Sequence, residues 1–211
     1  MKISYKNFIS FEGVDGCGKS TQIQLLSKKL FNRNINNLIL REPGGSVVSE
    51  KIRELLLDKD NNISPESETL LFLAARSNLV NEIIEPSMRN NTVILCDRYI
   101  DSTIAYQCYG KGMDMRVVNA LNYFAIKNIF PYLTFILDIS PKHIQKRLNV
   151  KTLDRIELLG LDFQNKVRNG YIEIANNNDR CKIINCENKT INQIHLEIIE
   201  LINLYIEDIQ L

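Results

Sequence analysis

The hydrophobic and polar positions of the chain switch repeatedly between strand-like and helix-like spacing. Phe8-Ile9-Ser10-Phe11 is an apolar run that stops at Glu12, and Ile23, Leu26 and Leu30 then recur at helical spacing. This predicts a strand, a loop holding three glycines, and a helix. Leu38-Ile39-Leu40 reads as a second strand. A helix with Val48, Ile52, Leu55 and Leu56 on one side follows, opened by Ser46 or Ser49. Ser64-Pro65 starts a long helix, since serine caps well and proline suits the first helical position. Phe72, Arg76, Leu79 and Ile83 share one of its faces, and Pro86 is expected to kink or end it. Thr92–Cys96 and Tyr132–Leu137 are apolar runs suited to strands buried on both faces. Helical segments lie between them, from about Ser102 to Tyr109 and Asp114 to Lys127. Pro141 opens a helix to about Leu148, and another runs from Glu157 to about Ala175. Cys181–Cys186 is a fifth strand. Thr190 with Gln193 forms a capping box for a last helix, whose expected buried stripe is Ile191, Ile194, Ile198, Leu201 and Tyr205.

Strands alternating with helices predict a parallel sheet covered on both faces. With 211 residues and no linker rich in Pro, Gly or Ser, one domain spanning 1–211 is expected. Ligands in such sheets bind beyond the carboxyl ends of the strands. The loops that count are therefore those after Phe11, Leu40, Cys96 and Leu137. A net charge of +1 gives no general affinity for nucleic acid or membranes, so any anion site must be local. The five cysteines are odd in number and form no C-x-x-C pair, which suits a reduced, cytoplasmic chain. No signal-peptide-like or membrane-spanning run is present in the sequence.

The first loop, Gly13-Val14-Asp15-Gly16-Cys17-Gly18-Lys19-Ser20-Thr21, fits the phosphate-loop pattern G-x-x-x-x-G-K-[ST]. Glycines let the backbone curl until several N–H groups face one polyphosphate, and the following helix turns its positive end toward it. Lys19 supplies a full charge to the β and γ phosphates, and Ser20 a hydroxyl for Mg²⁺. Asp97, ending an apolar strand, is the matching Walker-B-like carboxylate. Arg98 beside it has no apolar reason to be there, and a second phosphate group supplies one. Arg76 on an apolar stripe is similarly unusual. Asn188-Lys189-Thr190-Ile191 lacks the aspartate of a guanine-reading N-K-x-D, and neither His143 nor His195 is assigned any chemistry.

The chain resembles the thymidylate kinases of the bacterial type over nearly its whole length. The resemblance is carried by Phe11-Glu12-Gly13-Val14-Asp15-Gly16, Arg41-Glu42-Pro43-Gly44-Gly45, Phe72 with Ala75-Arg76, Asp97-Arg98-Tyr99, Ser102 to Gln107, Leu153-Asp154-Arg155-Ile156-Glu157 and Gly170-Tyr171. It implies a P-loop NTPase fold, a five-stranded sheet of order 2-3-1-4-5, and a homodimer. It implies transfer of the γ-phosphoryl of ATP to dTMP with Mg²⁺. Phe72 is expected to stack on thymine, Arg76 to bond its O4, and Thr103 to lie by N3. Asp15 is expected at the 3′-hydroxyl and Tyr106 where a 2′-hydroxyl would sit. Arg98 binds the acceptor phosphate, with Arg53, Gln107, Ser102 and Glu42 nearby, and Arg147 lies against adenine.

Some family members carry an arginine in the phosphate loop where this chain has Gly16. The basic residues of a mobile lid at about 148–157 are expected to replace it, Arg155 chiefly, with Lys151 assisting. Pairing of Arg155 with Asp154 or Glu157 is the competing reading. Apolar helix faces around Val48–Leu56 and Leu79–Ile83 are the candidate dimer surfaces. The rival functions are kinase activity on another nucleoside monophosphate or a nucleoside, and a nucleotide-dependent switch without transfer.

Overall fold

The computed structural model describes residues 3–147, 155–206, 209 and 211. Its five strands, all parallel, form one sheet of order β2-β3-β1-β4-β5, as expected. They are β1 (Ile3–Glu12), β2 (Asn37–Arg41), β3 (Val93–Asp97), β4 (Ile129–Asp138) and β5 (Cys181–Asn185). β1 and β4 begin earlier than their apolar runs suggest. Pairing of Ile3 with Ile129 extends both, and a register shift between Tyr5 and Ile9 restores alignment further along.

Alternation along the central strands builds two cores. Ile9, Phe11, Val93 and Leu95 point to one, with Ile23, Leu26 and Leu30 of α1 (Lys19–Asn32). Phe8, Ile94 and Cys96 point to the other. There they meet Leu79 of α3 (Pro65–Leu79) and Val80 and Ile84 just beyond it. The last helix, α9 (Ile191–Tyr205), has the Thr190–Gln193 capping box. Its buried stripe is Ile194, Ile198, Ile199 and Ile202; of the expected stripe, Ile191 is 56% and Tyr205 40% exposed, and Leu201 is half-buried.

Pro86 does not end the long helix. A π-helical turn, Val80–Ile84, absorbs the misfit, and α4 (Glu85–Arg89) continues with proline in its first turn, where no N–H is needed. The segment expected as a helix from Ser102 is α5 (Ile100–Thr103) running into a π-helix, Ile104–Gly110. Of the remaining helices, α2 (Val47–Leu57) is capped by Ser46, and α6 (Met115–Ala125) by Asp114. α7 is Pro141–Arg147 and α8 is Gly160–Asn176. Gly110 and Gly170 let α8 lie close against the π-helix: a Cβ at 170 would come within 2.7 Å of the Tyr109 side chain.

Parallel register brings the expected chemistry to one edge. Phe11 and Arg41 both stand level with Asp97, and the loops beyond are stitched together. Arg98 N donates to Phe11 O and Glu42 N to Asp97 O, each at 2.9 Å.

Candidate active site

The phosphate loop connects β1 to α1. Gly13 (φ 134°) and Gly18 (φ 105°) adopt backbone conformations that side chains disfavour, which lets the loop turn back on itself. Lys19 is 6% exposed. Its Nζ donates to Gly13 O at 3.1 Å and Val14 O at 3.2 Å, so the ammonium lies under the loop's own carbonyls. Ser20 Oγ donates to Asp97 Oδ2 at 2.9 Å. Gly16 and Thr21 are exposed, whereas Cys17 is buried and its thiol is pushed up by that burial.

An oxygen-only pair of hydroxyl and carboxylate beside a phosphate loop suits Mg²⁺ that also takes phosphate and water oxygens. No cluster of three or more His, Cys, Asp or Glu side chains able to hold a metal occurs among the described residues. Ser20 and Asp97 therefore fit an ion shared with a polyphosphate, not one caged by protein.

Beside the loop opens a cleft that gathers Asp15, Glu42, Arg53, Phe72, Arg76, Arg98, Ser102, Thr103, Tyr106 and Gln107. All ten come from the residues the sequence assigned to the acceptor nucleotide. Pro43, Leu57 and Ile156 complete its wall. Phe72 is half-buried, with an apolar ring available as a stacking surface.

Arg98 has φ 71°, and its guanidinium reaches three elements. Nη2 donates to Asp15 Oδ1 at 2.7 Å and Tyr106 Oη at 3.1 Å. Nη1 donates to Ser102 Oγ at 3.2 Å and Tyr171 Oη at 2.9 Å. Tyr106 Oη donates to Asp15 Oδ2 at 3.0 Å. Burial works against ionising Asp15, but Arg98 and Lys19 hold its carboxyl well below the usual carboxylate range. Glu12 lies behind this group. It accepts from Tyr99 N at 2.7 Å, Ser102 Oγ at 2.6 Å and Tyr171 Oη at 3.1 Å. Burial, then Asp101, pushes its pKa from 4.5 up to about 7.

Arg76 is 1% exposed, and the protein itself takes up its donors. Nε and Nη2 meet Glu42 Oε2, both at 2.6 Å, and Nη2 also donates to Tyr99 O at 3.0 Å. Nη1 donates to Thr103 Oγ1 at 2.7 Å and Asn122 Oδ1 at 2.6 Å. Burial raises the Glu42 pKa against the pull of Arg76, and its Oε1 is buried without a partner. Arg53 Nη1 donates to Pro43 O at 2.9 Å.

Arg155 is not beside the phosphate loop. Its guanidinium pairs with Glu68, and its Nε donates to Leu56 O at 2.9 Å. Glu68 is fully buried and also receives Gln107 Nε2 at 3.0 Å and Lys111 Nζ at 2.6 Å. A buried carboxylate demands such partners, and this demand draws Arg155 to the rim of the cleft, next to Ile156. Lys151 lies outside the described residues. So does most of the expected lid, 148–154. Arg147 ends α7, and its side chain lies outside the described residues.

Glu68, Asn122 and Tyr171 carry site interactions that the sequence reading did not assign. Two of them left a signal. Glu68 stands one turn before Phe72 on the face that also bears Arg76, and Asn122 is a polar residue on the buried stripe Val118–Asn122–Ala125.

Sheet order, phosphate loop and strand-end aspartate define a P-loop nucleotide-binding protein with a second, arginine-lined pocket. The family model for thymidylate kinase matches residues 11–198. The thymidylate kinase of Thermosipho africanus is 44% identical over 200 residues, covering 95% of this chain and 99% of its own. That of Chlorobaculum tepidum is 42% identical over 205 residues, covering 92% and 96%. The crystal structure of thymidylate kinase from Ehrlichia chaffeensis matches with a TM-score of 0.77 and 37% identity, over 93% of this chain and 97% of that one. The chain belongs to the thymidylate kinase family.

Proposed function

We propose that the chain transfers the γ-phosphoryl of ATP to dTMP, giving ADP and dTDP. One observation carries the reading beyond family membership: Arg98, in the acceptor cleft, is paired with Asp15 of the phosphate loop. Donor and acceptor sites thus share a wall, as in-line transfer between two bound anions requires.

Each end of the reaction has its own residues. Lys19 exchanges its loop carbonyls for β- and γ-phosphate oxygens, and Ser20 with Asp97 would hold Mg²⁺, which would neutralise charge on those phosphates. In the cleft, Phe72 stacks on thymine and Arg98 binds the acceptor phosphate with Arg53. Tyr106, tied to Asp15, crowds the sugar where ribose would carry its extra hydroxyl. Arg76 offers O4 an N–H by sharing the one it gives Thr103, which lines the same cleft. We assign Arg155 to the cleft's rim, not to the transferring phosphoryl.

The enzyme is further proposed to be a cytoplasmic homodimer. The five cysteines are free and buried, as a reducing compartment favours. Among the described residues no helix is long and apolar enough to cross a membrane. α2 packs on α3 and α3 on α6, and this neighbourhood exposes Val47, Leu55, Leu70, Val117 and Phe124. That is the apolar surface a second copy would cover. Of the two faces suggested by sequence, Leu79–Ile83 is withdrawn, because Leu79 and Val80 are fully buried in the core.

The test is ADP release from ATP with dTMP, dCMP, a purine monophosphate or deoxythymidine as acceptor. Fast release with dTMP alone is expected. Equal rates with another monophosphate, or preference for the unphosphorylated nucleoside, would point to a different kinase. Release that ignores every acceptor would point to a switch.

A further inference from the structure

Tyr171 belongs to α8 and does not line the acceptor cleft. Its side chain is 1% exposed and its ring packs edge-on to Tyr106, with centroids 6.4 Å apart. Packing explains the ring but not the hydroxyl. Tyr171 Oη accepts from Arg98 Nη1 at 2.9 Å, lies 2.8 Å from Ser102 Oγ and donates to Glu12 Oε2 at 3.1 Å.

Donor accounting gives this cluster a direction. Arg98 has only hydrogens to give, and Glu12, once ionised above about pH 7, only lone pairs. Each hydroxyl between them has one hydrogen. Ser102 Oγ sends its hydrogen to Glu12 at 2.6 Å and Tyr171 Oη does the same at 3.1 Å, so both oxygens turn lone pairs toward Arg98 Nη1. The buried carboxylate thus acts on the arginine at one remove.

The two edges of the guanidinium differ. The Nη1 edge faces Ser102, Tyr171 and Glu12, all buried. The Nη2 edge faces Asp15, whose side chain is 36% exposed, and Tyr106, both of which line the cleft. Five N–H groups lie in one rigid plane, so fixing one edge aims the other.

We infer that Tyr171 is a positioning residue for the acceptor phosphate: its hydroxyl, with Ser102 and Glu12, holds the Nη1 edge of Arg98 and so fixes the plane in which the guanidinium meets the phosphate of dTMP. This rests on the reading of Arg98 as the acceptor-phosphate residue. It makes a residue outside the lining of the cleft a part of substrate recognition.

The experiment compares Tyr171→Phe, which keeps the ring and removes only the hydroxyl, with Arg98→Ala. Binding of dTMP and of deoxythymidine is measured by calorimetry for each, because only the first ligand carries the phosphate. A lost hydrogen bond to a buried charged group corresponds to a weakening of about tenfold or somewhat more. Tyr171→Phe is expected to weaken dTMP by that factor and to leave deoxythymidine within about twofold, with Arg98→Ala showing the same split more strongly. If Arg98→Ala shows the split and Tyr171→Phe leaves both ligands unchanged, the inference is overturned and the role of Arg98 stands. If Tyr171→Phe weakens both ligands equally, its hydroxyl serves the cleft's structure, and the inference is again overturned. Absence of the split in Arg98→Ala overturns the reading of Arg98, and this inference with it.

Discussion

The phosphate loop and the acceptor cleft lie side by side, but they are built on opposite plans. In the loop, the working groups are backbone N–H groups and one lysine whose partners, Gly13 and Val14, are six and five residues away. In the cleft, the working groups are arginines whose carboxylate partners lie 34 and 83 residues away on other segments. The loop is a local device that needs only a strand before it and a helix after it. The cleft is a tertiary device, in which Arg76 and Arg98 are already paired with carboxylates of the protein. Loss of a cation should therefore act mainly on chemistry in the loop, and on both affinity and stability in the cleft.

Lys19→Ala should give the largest effect. It removes a preorganised charge at the transferring phosphoryl, so kcat in a coupled ADP assay should fall by about 10²–10³ while the melting temperature changes little. A fall in stability as large as that in the cleft variants would erase the contrast between the two sites.

Arg76→Ala should show the cleft's behaviour. It leaves Glu42, Thr103 and Asn122 buried without their cation. Breaking a buried pair costs about 3–5 kcal/mol, which for a chain of this size lowers Tm by roughly 10 °C. Calorimetric titration should find dTMP binding lost and ATP binding kept. Unchanged Tm with lost dTMP binding would make Arg76 a pure ligand group and move it to the loop's side of the comparison.

Glu12 gives a pH test of the same balance. Its carboxyl is pushed from 4.5 in the unfolded chain up to about 7 in the fold. Between those values the folded state holds the proton and the unfolded state does not, so stability falls as pH rises through this window. The whole effect is at most a few kcal/mol. Glu12→Gln should flatten the decline of Tm between pH 4.5 and about 7; an unaltered pH profile of Tm would show that Glu12 stays ionised throughout.

Arg155→Ala should give the smallest catalytic effect. With its guanidinium on Glu68, single-turnover transfer at saturating ATP and dTMP should stay within about threefold, and dTMP affinity should weaken modestly as one of the two cations on Glu68 is lost. A drop near 10³ in the single-turnover rate would mean that Arg155 leaves Glu68 for the phosphoryl during turnover.

The same contrast governs what could be read from the sequence. The loop's nine residues are contiguous, and hydrophobic runs placed it between β1 and α1. Sheet order and the edge on which the ligands gather were legible too, because parallel strands put Glu12, Arg41 and Asp97 at one end whatever the details of packing. In the cleft, the sequence named the residues but not their partners. Arg76 was conspicuous on its apolar stripe, yet nothing local indicated that Glu42, Thr103, Asn122 and Tyr99 would share its donors. Arg155 was weighed only against its neighbours Asp154 and Glu157, whereas Glu68 is 87 residues away. The π-helical turns escaped for another reason: they widen the helix only locally, over Val80–Ile84 and Ile104–Gly110, and periodicity records only the average.

Gly170 has a consequence for how the enzyme tolerates change. It is buried, does not line the cleft, and has no side chain to offer a ligand. Its missing Cβ sets the distance at which Tyr109 meets α8, and so fixes whether the next residue's hydroxyl arrives at Arg98. An alanine there is a favourable helix former, so it would scarcely disturb α8 in isolation. The enzyme would keep its fold and its ATP site while the acceptor arginine loses its alignment. In a survey of variants scored by growth, position 170 would group with the catalytic residues although it is chemically inert.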